Sequence, residues 1–526
     1  MNEIKRKITI NERATQQERL GFQPGTIGIY SPGALGVSMA HHLGVNHFIT
    51  SEAGRSSRLL SSKVNFNIID GSESKPIEAS VSHGLVKAYE ENQLPEVILA
   101  CPNADKVPGL VEEIVNLTYA FAESGTLFMV EGKLQGLENL PTVVLASNGI
   151  LDEITRTQLS QAISSCVENK QIEESLIKAW LGKTIRGLSF ISGEREGMGE
   201  KAIYKPSKKG AVVLCGGEDE SRERIVDLTV GKETIRFIDG KEKTQEKEWR
   251  KAYTNLMTNV VGLTLAVDRR KNAIRLDIPV GRILTRMKPG NDQTYIEIEG
   301  AFKQCKELGE MFFNIAKAKG LFSEFSTWME FNQKIFLEPL KEVSDFYSHV
   351  PSSLQMITNQ VKFGILSDEV PPNEATILGP LMIEANKFCL DSEVKTLKKI
   401  ERSIIDNIRI IKEEFRKPQV NGNDNRVIKK IFNQTGEIAY IAFDPDNLGL
   451  TQDQIDPYKA ESKDILCGRS EVVVPMTAEI FSYGPEHTLG NVAFITNGAG
   501  FTLEALDRCT EAGIRLGFIS DLRLKF

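Results

Sequence analysis

The sequence predicts an α/β protein: a doubly wound parallel sheet in its N-terminal part, then an all-α second domain, then a small α/β C-terminal extension. Three observations carry this prediction. From Thr26 to Arg224 short apolar runs alternate with helical stretches, the pattern a βαβ architecture requires. Two of the runs, VILA (97–100) and TVVLA (142–146), are almost wholly apolar rather than alternating, as strands are when helices cover both faces of a parallel sheet. Beyond Lys243 the pattern turns to long helical stretches with few strand signals before residue 430.

Taken in order, the strand candidates are Thr26–Tyr30, Asn46–Ile49, Glu96–Ala100, Thr126–Val130, Thr142–Ala146 and Gly210–Leu214, with helices at Leu35–Leu43 and Val107–Glu123. The long helices of the second part are Glu246–Val267, Gly300–Ala318 and Asp391–Phe415. The stretch KPQVNGNDNR (417–426) gathers Pro, Gly, Asn and Asp between periodic segments and reads as a linker. The expected organisation is therefore an extension (1–23), an α/β domain (24–243), a helical domain (244–416), the linker (417–426) and a mixed α/β tail (427–526).

Composition agrees with several globular cores. The chain has 526 residues, 41% of them hydrophobic, and single cores stop growing near about 250–300 residues. Lys and Arg total 64 against 71 Asp and Glu, a net charge of -7, with no long basic run to follow a phosphate backbone. Nucleic acid is not an expected partner. No stretch reaches the length of apolar residues that spans a bilayer, and the first twenty residues are too charged for the apolar core of a signal peptide. The seven cysteines are scattered without a CxxC pair, which suits a reducing compartment, so a cytoplasmic protein is expected.

Directly after the first strand stands Ser31-Pro32-Gly33-Ala34-Leu35-Gly36, followed by a helix. Gly33 and Gly36 take the second and third glycine positions of the GxGxxG turn of Rossmann-type dinucleotide-binding domains, and Ser31 replaces the first. Small residues there let the backbone approach a pyrophosphate at a helix N-terminus. Serine serves in place of the first glycine if its φ stays negative. An ordinary strand-to-helix turn is the alternative. The second strand ends at Ser51-Glu52-Ala53-Gly54-Arg55, where such a fold reads the adenosine ribose. An acidic residue such as Glu52 suits NAD and a basic one such as Arg55 suits NADP, so both cofactors stay open, as does a pair of solvated loop charges.

The segment Glu248 to Asn259 places Lys251, Asn255 and Asn259 at spacings of four, one above another on a helix. Such a stripe is either a solvated face or a set of polar groups awaiting a ligand. The pattern W-x-K-x-x-x-N-x-x-x-N resembles the start of the C-terminal domain of ketopantoate reductases (2-dehydropantoate 2-reductases). The likeness recurs in order at Gly33-Ala34-Leu35-Gly36, at Val144 to Gly149 with its Asn148-Gly149, at Gly187-Leu188-Ser189 with the strand up to Gly217, and at Pro351-Ser352-Ser353-Leu354-Gln355, covering residues 24–415.

The resemblance implies an NAD(P)H-dependent reduction of a small 2-oxo acid, ketopantoate to pantoate in pantothenate biosynthesis being the first assignment. It implies Lys251 as general acid and Asn255, Asn259, Ser353 and Glu374 as substrate ligands. Asn148 would sit by the nicotinamide, with Ser31, Gly33, Ala34, Leu35 and Gly36 around the pyrophosphate. No metal is expected, because His41, His42, His47 and His83 are accompanied by no second ligand set, and a homodimer is left open. The chain departs from the family at Asn103, where the family has a lysine, and at Glu374, which stands one residue too close to Gly379. A cofactor-binding protein without catalysis and a reductase of another 2-oxo acid are the alternatives. In the tail, Gly490-Asn491, Asn497-Gly498-Ala499-Gly500 and Asp507 resemble a fragment of the ligase domain of succinyl-CoA-synthetase β subunits, for which an anion-binding, dimerisation or structural role is expected rather than ligase activity.

Overall fold

A computed structural model describes residues 7–10, 21–52, 60–71, 73–191, 193–196, 202–207, 209–240, 244–269, 273–285, 298–340, 347–362 and 377–416, with three further strands at 427–432, 438–443 and 492–496. The chain divides into two compact units. The first comprises Met1–Met257, Glu307–Glu342 and Asn373–Val394, and the second comprises Thr258–Lys306, Val343–Pro372 and Lys395–Phe526.

The first unit is built on a twelve-stranded sheet. Its strands are β1 (Gln23–Tyr30), β2 (His47–Thr50), β3 (Lys63–Asp70), β4 (Glu73–Ser74), β5 (Ile77–His83) and β6 (Pro95–Ala100). After a separate hairpin of β7 (Phe128–Val130) and β8 (Lys133–Gln135) come β9 (Thr142–Leu145), β10 (Thr184–Ser189), β11 (Gly193–Glu196), β12 (Ile203–Pro206), β13 (Gly210–Cys215) and β14 (Ile235–Asp239). The order is β11-β12-β3-β5-β2-β1-β6-β9-β10-β13-β14, and the run from β5 through β2, β1, β6 and β9 to β10 is parallel. Chain order reverses between β1 and β6, so the carboxyl ends of these two strands flank the crevice where open α/β sheets bind ligands.

Among the described residues the helices α1 (Ala34–Leu43), α2 (Leu85–Glu90), α3 (Val107–Glu123), α4 (Asp152–Cys166), α5 (Lys170–Lys183), α6 (Asp219–Leu228) and α7 (Thr244–Asn255) accompany the sheet. Alternate residues of the central strands enter two separate cores. Tyr30, Ile98, Ala100, Val143 and Leu145 pack with α2 to α5, whereas Ile29, Val97, Leu99, Val144 and Ala146 pack with α1 and α6. This double coverage is why those strands read as unbroken apolar runs. On the first face Trp180 is fully buried and its indole N–H donates to the Thr118 hydroxyl at 2.9 Å.

Two sequence expectations need correction. Residues 126–130 do not join the sheet: Glu131 and Gly132, at φ 49° and 74°, form a two-residue turn that folds Phe128–Val130 back on β8. Strands β3 and β5 were not anticipated, although Lys63–Asp70 alternates cleanly, with Val64, Phe66 and Ile68 buried between exposed Lys63, Asn65 and Asn67.

The second unit holds the helices Val261–Leu265, Val280–Ile283 and Ser352–Lys362 and most of the helix Asp391–Arg416. It also holds a two-residue pairing of Val267–Asp268 with Ala273–Ile274, so the region expected to be all helical carries a small strand pair. The Asn407 amide, buried, donates to the carbonyls of Leu263 and Thr264 at 2.9 and 3.1 Å, satisfying the end of the short helix. In the tail, Val427–Phe432, Ile438–Phe443 and Val492–Thr496 form an antiparallel three-stranded sheet. No helix among the described residues is long and apolar enough to cross a membrane.

Thr118→Val keeps side-chain volume but leaves the Trp180 indole N–H buried without its acceptor. We expect a loss of about 1–3 kcal/mol in urea unfolding.

Candidate functional site

Strand β1 delivers the chain to the sheet's crevice, and Ser31 turns it into α1. The Ser31 N–H donates to the Ile49 carbonyl at 2.8 Å and the Gly33 N–H to the Ser31 carbonyl at 2.8 Å. This geometry puts Ser31 at φ 71°, in the left-handed region that the first glycine of such a turn takes easily, so the negative φ that would ease a serine there is not what the chain adopts. Holding an L-residue in that region costs about 1–2 kcal/mol, less when a short polar side chain can bond locally. Gly36 is required by packing: a Cβ there would lie 2.6 Å from the Ser31 carbonyl oxygen and 2.9 Å from Ile29 Cγ2. A Cβ on Gly33 would meet nothing within 4 Å. The N-terminus of α1 has no side-chain cap and no acidic residue in its first turn. Unsatisfied N–H groups and the helix dipole there favour an anion.

At the end of β2 the backbone is held by Glu113 of α3, which is 7% exposed. Its Oε1 accepts from the Tyr30 hydroxyl at 3.0 Å and the Glu52 N–H at 3.1 Å, and its Oε2 accepts from the Leu85 N–H at 3.1 Å. Burial pushes this carboxyl up against these hydrogen bonds, and Tyr30, buried beside it, is raised as well. Glu52 is exposed; Arg55 lies outside the described residues.

The helix α7 is anchored by one face. Trp249, Ala252 and Tyr253 are buried, the two rings against Phe312, with Phe331 and Phe336 also around Tyr253. The Tyr253 hydroxyl accepts from the Trp328 indole and donates to Asn332 Oδ1, both at 2.8 Å. Lys251 and Asn255 are left partly exposed on the other flank.

Glu248, 2% exposed, fastens the same helix to the sheet. Its Oε1 accepts from Arg186 Nε at 2.6 Å and from the Leu151 N–H at 2.8 Å, and the Asp152 N–H donates at 3.3 Å, so the carboxylate also satisfies the N–H groups at the start of α4. Arg186, on β10 and 1% exposed, donates further to the carbonyls of Leu145 (2.6 Å), Gly187 (2.9 Å) and Gly149 (3.1 Å). The Asn148-Gly149 turn is thereby tied to β10. Lys251, one turn along from Glu248, donates to the Ser189 carbonyl at the end of β10 and lies 5.4 Å from the ring centroid of the exposed Phe190. Burial, and secondarily the Arg186 charge, bring the Lys251 ammonium down to about 7, against the opposing pull of Glu248. A lysine so placed holds or gives up a proton near neutrality.

The structure thus brings Lys251 to the end of β10, close to the Arg186–Glu248 pair that also holds the turn after Asn148. The stripe expected to continue to Asn259 stops short. Residues 256–260 are wound as a π-helix, so the α-helical spacing of four fails after Asn255. Asn259, 6% exposed, uses its Oδ1 to accept from the Ser352 hydroxyl (3.1 Å) and the Ser353 N–H (3.0 Å) at the start of the helix Ser352–Lys362. Ser353 is fully buried and its hydroxyl donates to the Asn259 carbonyl at 3.1 Å. In the second unit Asn259 and Ser353 thus bond each other and a helix end. Glu374 and Asn497–Gly500 lie outside the described residues. No group of three His, Cys, Asp or Glu able to hold a metal occurs among the described residues.

Arg186, Glu248, Glu113 and Phe190 escaped the sequence reading. A lone arginine inside the apolar strand TIRGLS was a usable signal, because a charge in a buried strand demands a partner. Glu113 and Glu248 gave none, since a glutamate on a helix is ordinarily solvated.

Gly36→Ala is expected to lose about 1–3 kcal/mol in urea unfolding, because neither the Ser31 carbonyl nor Ile29 can retreat without moving the turn. Gly33→Ala should stay within about 1 kcal/mol of the parent in the same measurement, its Cβ entering open space.

No family model matches the chain, and no curated protein matches it. Among solved structures, the dimeric ketopantoate reductase of Staphylococcus aureus is similar with a TM-score of 0.42 at 14% identity, over 72% of this chain and 99% of its own. D-mandelate dehydrogenase in a ternary complex with NADH and anilino(oxo)acetate gives 0.47 at 15% identity, over 73% and 99%. A 2-dehydropantoate 2-reductase from Geobacter metallireducens gives 0.43 at 12% identity, over 71% and 98%.

Proposed function

We propose that the chain is an NAD(P)H-dependent reductase of a small 2-oxo acid, with ketopantoate the first substrate to test. The observation that carries the reading is the placement of Lys251: an amine titrating near neutrality, held at the carboxyl end of a strand of the same sheet that carries an open, glycine-lined helix N-terminus. The turn fits a dinucleotide. Ser31 to Gly36 would hold the pyrophosphate on the α1 N–H groups, Glu52 the adenosine ribose, and Asn148 the nicotinamide end.

The bound dinucleotide supplies hydride to the ketone carbon. Negative charge then develops on the carbonyl oxygen, and Lys251 is placed to neutralise it and deliver a proton. Ser189 occupies one of the three ammonium donors, leaving two to point at substrate. Asn255, one turn along, offers an amide to the carboxylate or hydroxyl of the acid. A second reading, cofactor binding without catalysis, draws on Asn259 and Ser353, whose polar groups are taken up by each other.

Loss of dihydronicotinamide absorbance with ketopantoate and a panel of 2-oxo acids tests the proposal; tight cofactor binding with no turnover on any of them would favour the second reading. Lys251→Ala should lower kcat by about 10²–10⁴-fold, and retention of parental turnover would remove Lys251 from the mechanism.

The pH dependence has a definite sign. The protonated amine is the acid, so reduction should be fastest below pH 7 and decline as pH rises through about 7. Stability runs the other way. Between about 7 and the ordinary lysine value near 10.5 the unfolded chain binds the proton and the folded chain does not, so stability rises with pH across that window. Lys251→Met should flatten the rise in melting temperature from pH 7 to 10.

A further inference from the structure

Glu113 has no part in hydride transfer, yet it joins more elements at the crevice than its position on α3 requires. Besides the Tyr30 hydroxyl and the N–H groups of Glu52 and Leu85, the Ser51 hydroxyl also bonds it. All four donors are neutral. Three of them, Tyr30, Ser51 and Glu52, stand at the carboxyl ends of β1 and β2, where a dinucleotide-binding sheet reads the adenosine ribose. The fourth, Leu85, follows Gly84, which leaves β5 at φ 109° and where a Cβ would stand 3.8 Å from the Glu113 carboxylate. The arrangement fixes the main chain of Glu52 on a buried carboxyl group whose four hydrogen bonds favour its charged form against the pull of burial.

We infer that Glu113 is a positioning residue for the adenosine end of a bound dinucleotide and that it biases the site toward NADH over NADPH. The inference rests on the dinucleotide reading proposed above. With its backbone pinned, Glu52 presents a carboxylate able to accept from the 2′- and 3′-hydroxyls of an unmodified ribose. A 2′-phosphate brought to the same place adds negative charge above two carboxylates, one of them poorly screened because it is buried.

Calorimetric titration of the full chain with NADH and with NADPH tests this without reference to turnover. The parent should bind NADH at least about tenfold more tightly, a difference of about 1.4 kcal/mol. Glu113→Gln, which keeps the shape but not the charge, should narrow the NADH to NADPH ratio by about fivefold or more. A role confined to folding would weaken both cofactors alike and leave the ratio unmoved, and that result overturns the inference. Should Glu113→Gln fail to fold, salt dependence of the parent decides. Repulsion from carboxylates predicts that NADPH gains on NADH as ionic strength rises, whereas a cation reading the 2′-phosphate predicts that it loses ground. Equal binding of the two cofactors removes this inference alone; binding of neither removes the reductase proposal and this inference with it.

Discussion

The first unit's site depends on the ion pair of Arg186 and Glu248, both 1–2% exposed. Such a pair is weak evidence for net stability, because desolvating two charges offsets much of their attraction. Its effect is geometric. Arg186 bonds the carbonyls of Leu145, Gly149 and Gly187 while Glu248 takes the N–H groups of Leu151 and Asp152, so one pair fixes the end of β9, the turn after Asn148, the start of α4 and the register of α7 against β10. Every donor and acceptor it uses is drawn from a segment that has to be placed for the others to make sense. Removing either partner would leave the other charge buried and uncompensated, a penalty of about 3–5 kcal/mol in comparable cases.

Burial sets the proton affinity of Lys251, and the same pair acts on it in opposing directions. Burial and the Arg186 charge disfavour the ammonium, Glu248 favours it, and burial prevails. A solvated lysine would remain charged far above neutrality. The surroundings that place the amine at the end of β10 are thus the surroundings that make it able to exchange a proton. At the other end of the crevice Glu113 plays a comparable organising part with neutral donors only.

Much of the fold was legible in the sequence. The central strands announced themselves because helices cover both of their faces, and the turn at Ser31–Gly36 because close packing demands Gly36. What stayed hidden depends on tertiary partners. A glutamate that ends up buried looks like any helical glutamate until the arginine 62 residues away in sequence is placed beside it. The strand expected at 126–130 is present over Phe128–Val130 but pairs in a hairpin outside the large sheet for a local reason, the two positive φ angles at Glu131 and Gly132, of which only the glycine is suggestive by composition. Ser31 was recognised as a departure, but its left-handed backbone follows from the bond between its N–H and Ile49, which no local pattern encodes.

The lysine-asparagine helix shows where spacing arguments hold and where they end. Residues four apart share a face only while the winding stays α-helical. Up to Asn255 that condition is met, and the aromatic anchor of Trp249 and Tyr253 decides which flank is buried, leaving Lys251 and Asn255 together on the other. From Leu256 the π-winding adds a residue to the turn, and Asn259 becomes the cap of the helix Ser352–Lys362 instead of a continuation of the stripe. A buried asparagine needs partners as much as a ligand site needs asparagines, and in this chain Ser352 and Ser353 meet that need. The three residues at the same spacing therefore divide into two partly exposed groups, Lys251 and Asn255, and one that stabilises a helix terminus.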